Sequence, residues 1–326
     1  MNNDNALRPD NINSMIGATD VRRRLQISIN AAKQRGDVMP HTIFSGPAGT
    51  GKTSLAFCVA KALGTELIVT NATMLKEPKD LLQSLRNVNR GDVFFIDEAH
   101  NLKNKIQDFL LTVMEDFRVD IVQGSNKVKV LCSYPIEPIT VIGATTHIGL
   151  VAPTLRDRFR FQEELSLYSP QELSQIIKIN AAKLGKNIAE DGAMQIAIRS
   201  RGTPRIAINY LFWIRDFTHF EGKDIISGAA VDRAMTEKGV DKIGLVNIDR
   251  RYISVLFNNY DGGPAGLQTL ASSLNTVQET IADSVEPYLM QIGLVGRSSS
   301  GRFLTTTGLA YARSLNQSTD NAKSMG

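Results

Sequence analysis

Eight consecutive residues, Gly46-Pro47-Ala48-Gly49-Thr50-Gly51-Lys52-Thr53, carry the densest chemistry in the chain. Glycines at this spacing let successive backbone N–H groups curl around an anion at the start of a helix. Lys52 then neutralises the outer phosphates of a nucleotide, and the Thr53 hydroxyl is placed to ligate Mg²⁺. The octet follows the apolar run Thr42-Ile43-Phe44 and precedes the apolar stretch Leu55 to Leu63, the strand–loop–helix context that such a phosphate-binding loop requires. At ordinary residue frequencies a chance match in this length arises roughly once in a hundred chains. The plainer alternative is a glycine-rich turn before a core helix, and the flanking elements disfavour it. Val93-Phe94-Phe95-Ile96-Asp97-Glu98 supplies the second half. A hydrophobic strand delivers Asp97 to the Mg²⁺ shell and Glu98 to where it can orient or deprotonate an attacking water. An acidic pair at a strand end in isolation is about as often a helix cap. Combined with the loop, it specifies nucleotide hydrolysis.

A further buried strand, Ile139 to Ala144, ends in Thr145-Thr146, and a hydroxyl at Thr146 can sense the γ-phosphate. Alone, such a threonine more often satisfies its own backbone. Arg156, Arg158 and Arg160 fall within five residues, a pattern normally read as solvated surface. In a ring ATPase, an arginine reaching into a neighbour's site stabilises charge on the transferring phosphoryl group. Arg199, Arg201 and Arg205 surround Gly202-Thr203-Pro204, which places Arg205 in the first turn of a helix beginning near Ile206. A cation there opposes the helix dipole, so an anionic ligand explains it better than stability does. The series Asp97-Glu98-Ala99-His100 also spells the signature of a large helicase class, but those enzymes need two tandem motor domains and this chain has room for one.

The elements that must position these groups form an α/β alternation. Strand-like runs at His41 to Ser45, Glu66 to Val69, Val93 to Ile96 and Ile139 to Ala144 are separated by helical stretches, as in a parallel sheet. Strand character fades near Leu165. Ser169-Pro170-Gln171-Glu172 reads as a helix start, and helical spacing continues to about Lys242. Helices at Asp249 to Asn258, Leu267 to Leu274 and Glu279 to Met290, followed by a hairpin arm at Gly301 to Thr305, suggest a winged helix-turn-helix. The expected organisation is an ATPase domain over 1–165, a helical domain over 166–242, a winged-helix domain over 243–315 and a flexible polar tail over 316–326. The length of 326 residues, with 42% hydrophobic and 21% charged content, fits a multidomain globular protein. No apolar run approaches the roughly 18 residues that span a bilayer. The opening Met1-Asn2-Asn3-Asp4-Asn5 has no secretory pattern, and two cysteines suit a reducing compartment, so a cytoplasmic location is expected. The net charge of +4 permits nucleic-acid contact.

With these pieces in order, the chain resembles the RuvB family of Holliday-junction branch-migration motors, which are AAA+ ATPases. The likeness runs from Leu7-Arg8-Pro9 to about Tyr311. It includes Ile16-Gly17, Phe95-Ile96-Asp97-Glu98, Met114-Glu115-Asp116-Phe117, Ile142-Gly143-Ala144-Thr145-Thr146, Leu155-Arg156-Asp157-Arg158-Phe159, Arg199 to Arg205, Gly262-Gly263-Pro264 and Glu286-Pro287-Tyr288-Leu289. Met-Glu-Asp-Phe and Arg-Ser-Arg-Gly-Thr-Pro-Arg are far more specific than a phosphate-binding loop. The resemblance implies an AAA+ domain, a helical lid and a winged helix that binds DNA. It implies that Leu7, Arg8, Ile16 and Gly17 border adenine. Gly49, Gly51, Lys52, Thr53 and Ser54 hold phosphates and Mg²⁺, and Glu115, Asp116, Phe117 and Tyr168 complete the pocket. Arg158 matches the arginine finger, Arg205 the second sensor, and Arg297 and Arg302 the wing arginines that grip the DNA backbone without reading sequence. ATP and Mg²⁺, duplex DNA at Holliday junctions, a RuvA-type partner, a RuvC-type resolvase and a homo-hexamer are the implied cofactors and partners, with no membrane.

The chain also departs from the family pattern. Ser298-Ser299-Ser300 stands where a further Pro-Arg is usual, which removes roughly one charge from the salt dependence of DNA binding. Ile208-Asn209 replaces Asn-Arg in the lid, and His147 stands where Arg follows the sensor threonines. The segment Val119 to Pro138, corresponding to the hairpin that docks RuvA, differs in its body, which suits a divergent partner. Two other classes remain as rivals: a clamp-loader-like or protein-remodelling switch, and a catalytically idle DNA-binding subunit. Cys58 reads as core and Trp213 as lid core. His41, His100, His147 and His219 lack ligand spacing, so no zinc is expected. Lys127 and Lys129 read as solvated hairpin charges.

Overall fold

The computed structural model describes residues 7–125 and 128–324, so Lys127 and the first residues of the chain lie outside it. The chain divides into two compact units, Met1–Ile188 with Gly202–Phe212, and Ala189–Arg201 with Trp213–Gly326. Among the described residues no helix is long and apolar enough to cross a membrane.

The first unit is built on five strands: β1 (Thr42–Ser45), β2 (Leu67–Asn71), β3 (Val93–Asp97), β6 (Thr140–Thr145) and β7 (Phe161–Glu164). They lie in the order β2-β3-β6-β1-β7, with every neighbouring pair parallel. Between β3 and β6 the chain makes an antiparallel hairpin of β4 (Arg118–Ser125) and β5 (Val128–Pro135). Successive strand side chains point to opposite faces, and the core divides accordingly. Ile43, Phe94, Ile96 and Val141 pack with Ile106, Leu110 and Val113 of α4 (Asn104–Asp116) and with Leu81 of α3 (Pro78–Leu85). Phe44, Val93, Phe95 and Ile142 pack on the other face, with Leu25 and Ile29 of α1 (Thr19–Arg35) and Leu55 and Val59 of α2 (Lys52–Leu63). A sheet covered on both faces explains the continuous apolar runs.

β7 is the strand of this sheet that sequence reading misses. After Phe161 its residues Gln162-Glu163-Glu164 are polar, as an edge strand allows, and its buried Glu163 is held by the Arg24 guanidinium of α1, Nε to Oε1 at 2.8 Å. The helix start at Ser169 forms as expected. The Ser169 backbone N–H donates to Glu172 at 2.8 Å and the Glu172 N–H donates to the Ser169 hydroxyl at 3.2 Å, capping Pro170–Lys183.

In the second unit, helices Asn247–Tyr260 and Leu267–Leu274 pack against a third that runs from Gln278 to Gln291 with a π turn at Ile281–Val285. Strands Val295–Ser298 and Gly301–Leu304 then form the wing hairpin. Tyr252, Ile253, Leu256, Leu270, Leu274, Val285, Leu289 and Leu304 make one core. Three helices and a hairpin with their own core are a winged helix. The final helix, Thr306–Ser324, runs through most of the segment expected as a flexible tail. The sequence offers no Gly or Pro between Leu309 and Met325 to stop it.

Phe95 is fully buried at the centre of the sheet. Phe95→Ala is expected to destabilise the first unit by about 3–5 kcal/mol, read as a lower denaturant midpoint for that unit with the unfolding of the winged helix unchanged.

Candidate nucleotide site

The glycine-rich loop connects β1 to α2, and its shape is enforced by contacts. Gly46 sits at φ 132°, and a Cβ there would lie 2.1 Å from the Leu165 carbonyl oxygen. At Gly49, φ 76°, an added Cβ would meet the Thr203 methyl at 2.7 Å and Arg205 Cβ at 3.0 Å. The start of the helix Pro204–Phe220 is thus pressed against the loop. The Thr50 hydroxyl donates to the Pro47 carbonyl at 2.8 Å, and the Tyr168 hydroxyl donates to the Thr50 carbonyl at 3.3 Å. α2 has no side-chain cap at its N-terminus, which leaves first-turn N–H groups for an anion. Lys52 is buried and donates to the carbonyls of Gly46 at 2.8 Å and Pro47 at 2.9 Å. Burial lowers its ammonium below the ordinary lysine range, Glu98 and Asp97 oppose that shift, and Arg205 adds to it. A buried cation at a helix start with two carboxylates nearby can hold the phosphates of a nucleotide. Thr53 and Asp97 supply hard oxygen donors suited to Mg²⁺.

Because β6 lies between β1 and β3, the loop, the acidic pair and the threonines leave the same sheet edge, where α/β sheets bind ligands. Asp97 ends β3, and Glu98 follows in the left-handed region at φ 52°, an uncommon conformation for a non-glycine residue. The turn brings the Glu98 carboxylate to 3.4 Å from both the His100 Nδ1 and the Thr146 hydroxyl. Thr146 Oγ1 is 2.9 Å from His147 Nδ1, and Thr145 Oγ1 is 3.1 Å from His100 Nδ1. Burial lowers the His100 pKa, with Glu98 opposing.

A cleft of about 520 Å³ gathers Leu7, Arg8, Ile16, Gly49, Gly51, Lys52, Thr53, Ser54, Asp97, Glu98, Tyr168 and Arg205. Gly17 packs on Tyr168 beside it, since a Cβ there would strike the Tyr168 ring at 2.5 Å. Sequence reading misses Ile176, Ile179, Asn180 and Lys183, which also line the cleft. Their spacing of three and four puts them on one helical face, and Lys183 donates to the Arg8 carbonyl at 2.9 Å. Of the three arginines around Gly202, Arg199 pairs with Asp232 and Arg201 with Asp249, so Arg205 is the one that faces the cleft.

Glu115, Asp116, Phe117 and Arg158 do not complete this cleft. Phe117 ends α4 in the left-handed region, and Glu115 forms an ion pair with the half-exposed Arg158. That pair lines a second cavity of about 320 Å³ with Arg35, His41 and Arg160. The expectation that Glu115, Asp116 and Phe117 complete the chain's own pocket is corrected on that ground, whereas Arg158 is the residue expected to reach a neighbour's site.

The wing arginines separate as well. Arg297 is exposed, whereas Arg302 is buried and pairs with Glu286, Nε to Oε1 at 2.8 Å and Nη2 to Oε2 at 3.3 Å. The buried Tyr252 hydroxyl donates to the same Glu286 oxygen at 3.0 Å. Arg302 therefore holds the wing to the helices rather than presenting a cation to DNA, a correction to the sequence-based assignment. Arg302→Ala leaves the buried Glu286 carboxylate without a cationic partner, and a loss of about 3–5 kcal/mol is expected. Arg297→Ala is expected to leave the thermal midpoint unchanged; differential scanning calorimetry on both variants checks this.

Cys58 is fully buried on α2, with its thiol pushed up to about 11 by burial, as a core cysteine should be.

Comparison with known proteins agrees with this arrangement. The family model for the Holliday junction DNA helicase RuvB P-loop domain matches residues 7–165, the RuvB AAA lid domain 168–241, and the RuvB C-terminal winged helix domain 242–313. A Rhodopirellula baltica protein named Holliday junction branch migration complex subunit RuvB is 41% identical over 302 residues, covering 93% of this chain and 82% of that one. A Kosmotoga olearia protein of the same name is 42% identical over 299 residues, covering 92% and 87%. The solved structure of the Thermotoga maritima RuvB Holliday junction branch migration motor superposes with a TM-score of 0.83 at 36% identity, over 94% of this chain and 98% of that one. With family models spanning the ATPase, lid and winged-helix segments and relatives near 40% identity over almost the whole chain, this protein belongs to the RuvB family.

Proposed function

We infer that this chain is an ATP-hydrolysing motor that drives branch migration of Holliday junctions in homologous recombination and DNA repair. The observation that carries the reading is the cleft in which Lys52, Thr53, Asp97, Glu98 and Arg205 converge, in a chain that also carries a winged helix with Arg297 exposed on its hairpin. Residues 1–165, 166–242 and 243–315 serve as the ATPase, lid and DNA-binding domains.

Leu7, Arg8, Ile16 and Gly17 hold the adenine side, and Gly49, Gly51 and Ser54 cradle phosphates with backbone N–H groups. Lys52 and Arg205 neutralise the outer phosphates, and Thr146 senses the γ-phosphate. Mg²⁺, when held by Thr53 and Asp97, supplies charge neutralisation across the phosphates. Glu98 orients the attacking water and takes its proton. Tyr168 braces the loop through Thr50, so lid position and loop shape are linked.

Arg158 lines a cavity other than the chain's own cleft, which supports its use by a neighbouring copy. Glu115 pairs with it there, Asp116 and Phe117 follow Glu115 directly in sequence, and a homo-hexameric ring on duplex DNA satisfies every site in turn. Arg297 contacts the DNA backbone without sequence readout. The hairpin of β4 and β5 carries exposed Val130 and Leu131, apolar groups that suit docking of a RuvA-type partner. A RuvC-type resolvase acts on the same junction, and the assembly works in the cytoplasm.

ATP turnover with and without a four-way junction and a RuvA-type protein tests this reading, with Arg158→Ala as the variant. Stimulation is expected in the wild type, and Arg158→Ala is expected to lower kcat by a factor of roughly 10³ or more. Mixing Arg158→Ala with Lys52→Ala subunits should restore part of the turnover, because each supplies what the other lacks. Turnover indifferent to DNA and partner would instead point to a protein-remodelling switch.

A further inference from the structure

His41 stands immediately before β1, and its hydrogen bonds reach both chain segments that form the Glu115–Arg158 ion pair. Its ring Nε2 lies 3.0 Å from the Met114 carbonyl, one residue before Glu115 in the last turn of α4. Its backbone carbonyl accepts the Phe161 N–H at 3.3 Å, three residues after Arg158. A third bond fixes the ring from the sheet side, where the Val141 N–H of β6 donates to Nδ1 at 2.9 Å. Because Nδ1 accepts, the single N–H of a neutral imidazole is on Nε2 and is donated to Met114. Burial lowers the His41 pKa, the Met114 carbonyl opposes that shift and Arg160 adds to it, so the ring is held in the neutral form that both bonds require. The Met114 carbonyl is among the four at a helix end that lack an intrahelical partner. The imidazole satisfies it and thereby ties the end of α4 to the central strands. The Phe117 ring stands 6.5 Å from the imidazole, and His41 itself lines the cavity that holds Glu115 and Arg158.

We propose that His41 is a positioning residue for hydrolysis in a neighbouring copy: through Met114 and Phe161 it sets where Glu115 and Arg158 stand on the sheet. The inference rests on the reading that Arg158 serves a neighbour's site. α4 ends on Phe117 in the left-handed region, where glycine is the usual residue, so its last turn gains from an external hold. Arg158 is half-exposed and its guanidinium is paired with Glu115; moving the end of α4 therefore moves the finger. A misplacement of about 1 Å in such a group can cost roughly a hundredfold in rate. His41 lies outside the chain's own cleft, so its effect falls on the copy that borrows Arg158.

Two substitutions divide the bonds of the ring. His41→Gln puts an amide nitrogen near the Nε2 position, keeping the donor to Met114 and losing the bond to Val141. His41→Asn puts an amide oxygen near the Nδ1 position and does the reverse. Steady-state ATP turnover is measured for each alone and in mixtures with Lys52→Ala or Arg158→Ala subunits. His41→Asn is expected to lower kcat by about 10- to 100-fold, less than the factor of roughly 10³ expected for Arg158→Ala. His41→Gln keeps most of kcat. A role confined to stability would make the two variants alike, since each gives up one bond. His41→Asn regains turnover when mixed with Lys52→Ala, because one chain keeps an intact cleft and the other an intact Arg158 face. Mixed with Arg158→Ala it regains none. Equal losses in the two His41 variants, or recovery with Arg158→Ala in place of Lys52→Ala, would overturn the proposal. Arg158→Ala mixed with Lys52→Ala is the control. If that mixture regains nothing, the use of Arg158 by a neighbour fails and the proposal with it; if it recovers while His41→Asn with Lys52→Ala does not, the role of His41 alone falls.

Discussion

Backbone hydrogen bonds that pair β6 with β1 on one side and β3 on the other set the distance between the phosphate-binding loop and the acidic pair. Parallel strands in register deliver their C-terminal ends to one edge, so three loops from distant parts of the sequence meet there. The two apolar faces that bury Phe44 and Phe95 on one side and Phe94 and Ile96 on the other keep that register fixed. A slip of one residue would exchange the faces and move Asp97 away from Lys52. The chemistry thus inherits its precision from the core beneath it.

Around that edge the structure spends conformational freedom selectively. Glu98 adopts the left-handed region and Gly46 abuts a carbonyl that no side chain could clear. Lys52 is buried at the head of a helix with carboxylates nearby, and its nearest partners are backbone carbonyls of the loop. Carbonyl bonds to a lysine exchange readily for bonds to phosphate, which carries more charge. The loop is preorganised in shape without being locked electrostatically.

Much of this was legible from residue types and spacing. The loop, the acidic pair, strands β1, β2, β3 and β6, the Ser169 cap and the winged helix all follow from local pattern. β7 was hidden because an edge strand can be polar, and its one buried acid is paired with an arginine far away in sequence, Arg24. His100 and His147 looked scattered because 47 residues separate them, and only the neighbouring of β3 and β6 joins them. Arg302 looked like a DNA contact because a cation in a wing hairpin has that meaning in sequence; its partner Glu286 belongs to a different element. Long-range pairing of charges is the information that periodicity does not carry.

The burial of Arg302 has a consequence for how such a motor can diverge. A neutral guanidinium–carboxylate pair contributes almost nothing to the electric field beyond the wing surface, so the outward charge of the hairpin comes from Arg297 and its rim. The fastening of the wing and its adhesion to a polyanion are thereby assigned to different side chains. Serines 298–300 and their neighbours can drift through polar and charged alternatives, changing the surface the hairpin shows, while the clasp beneath them keeps its shape.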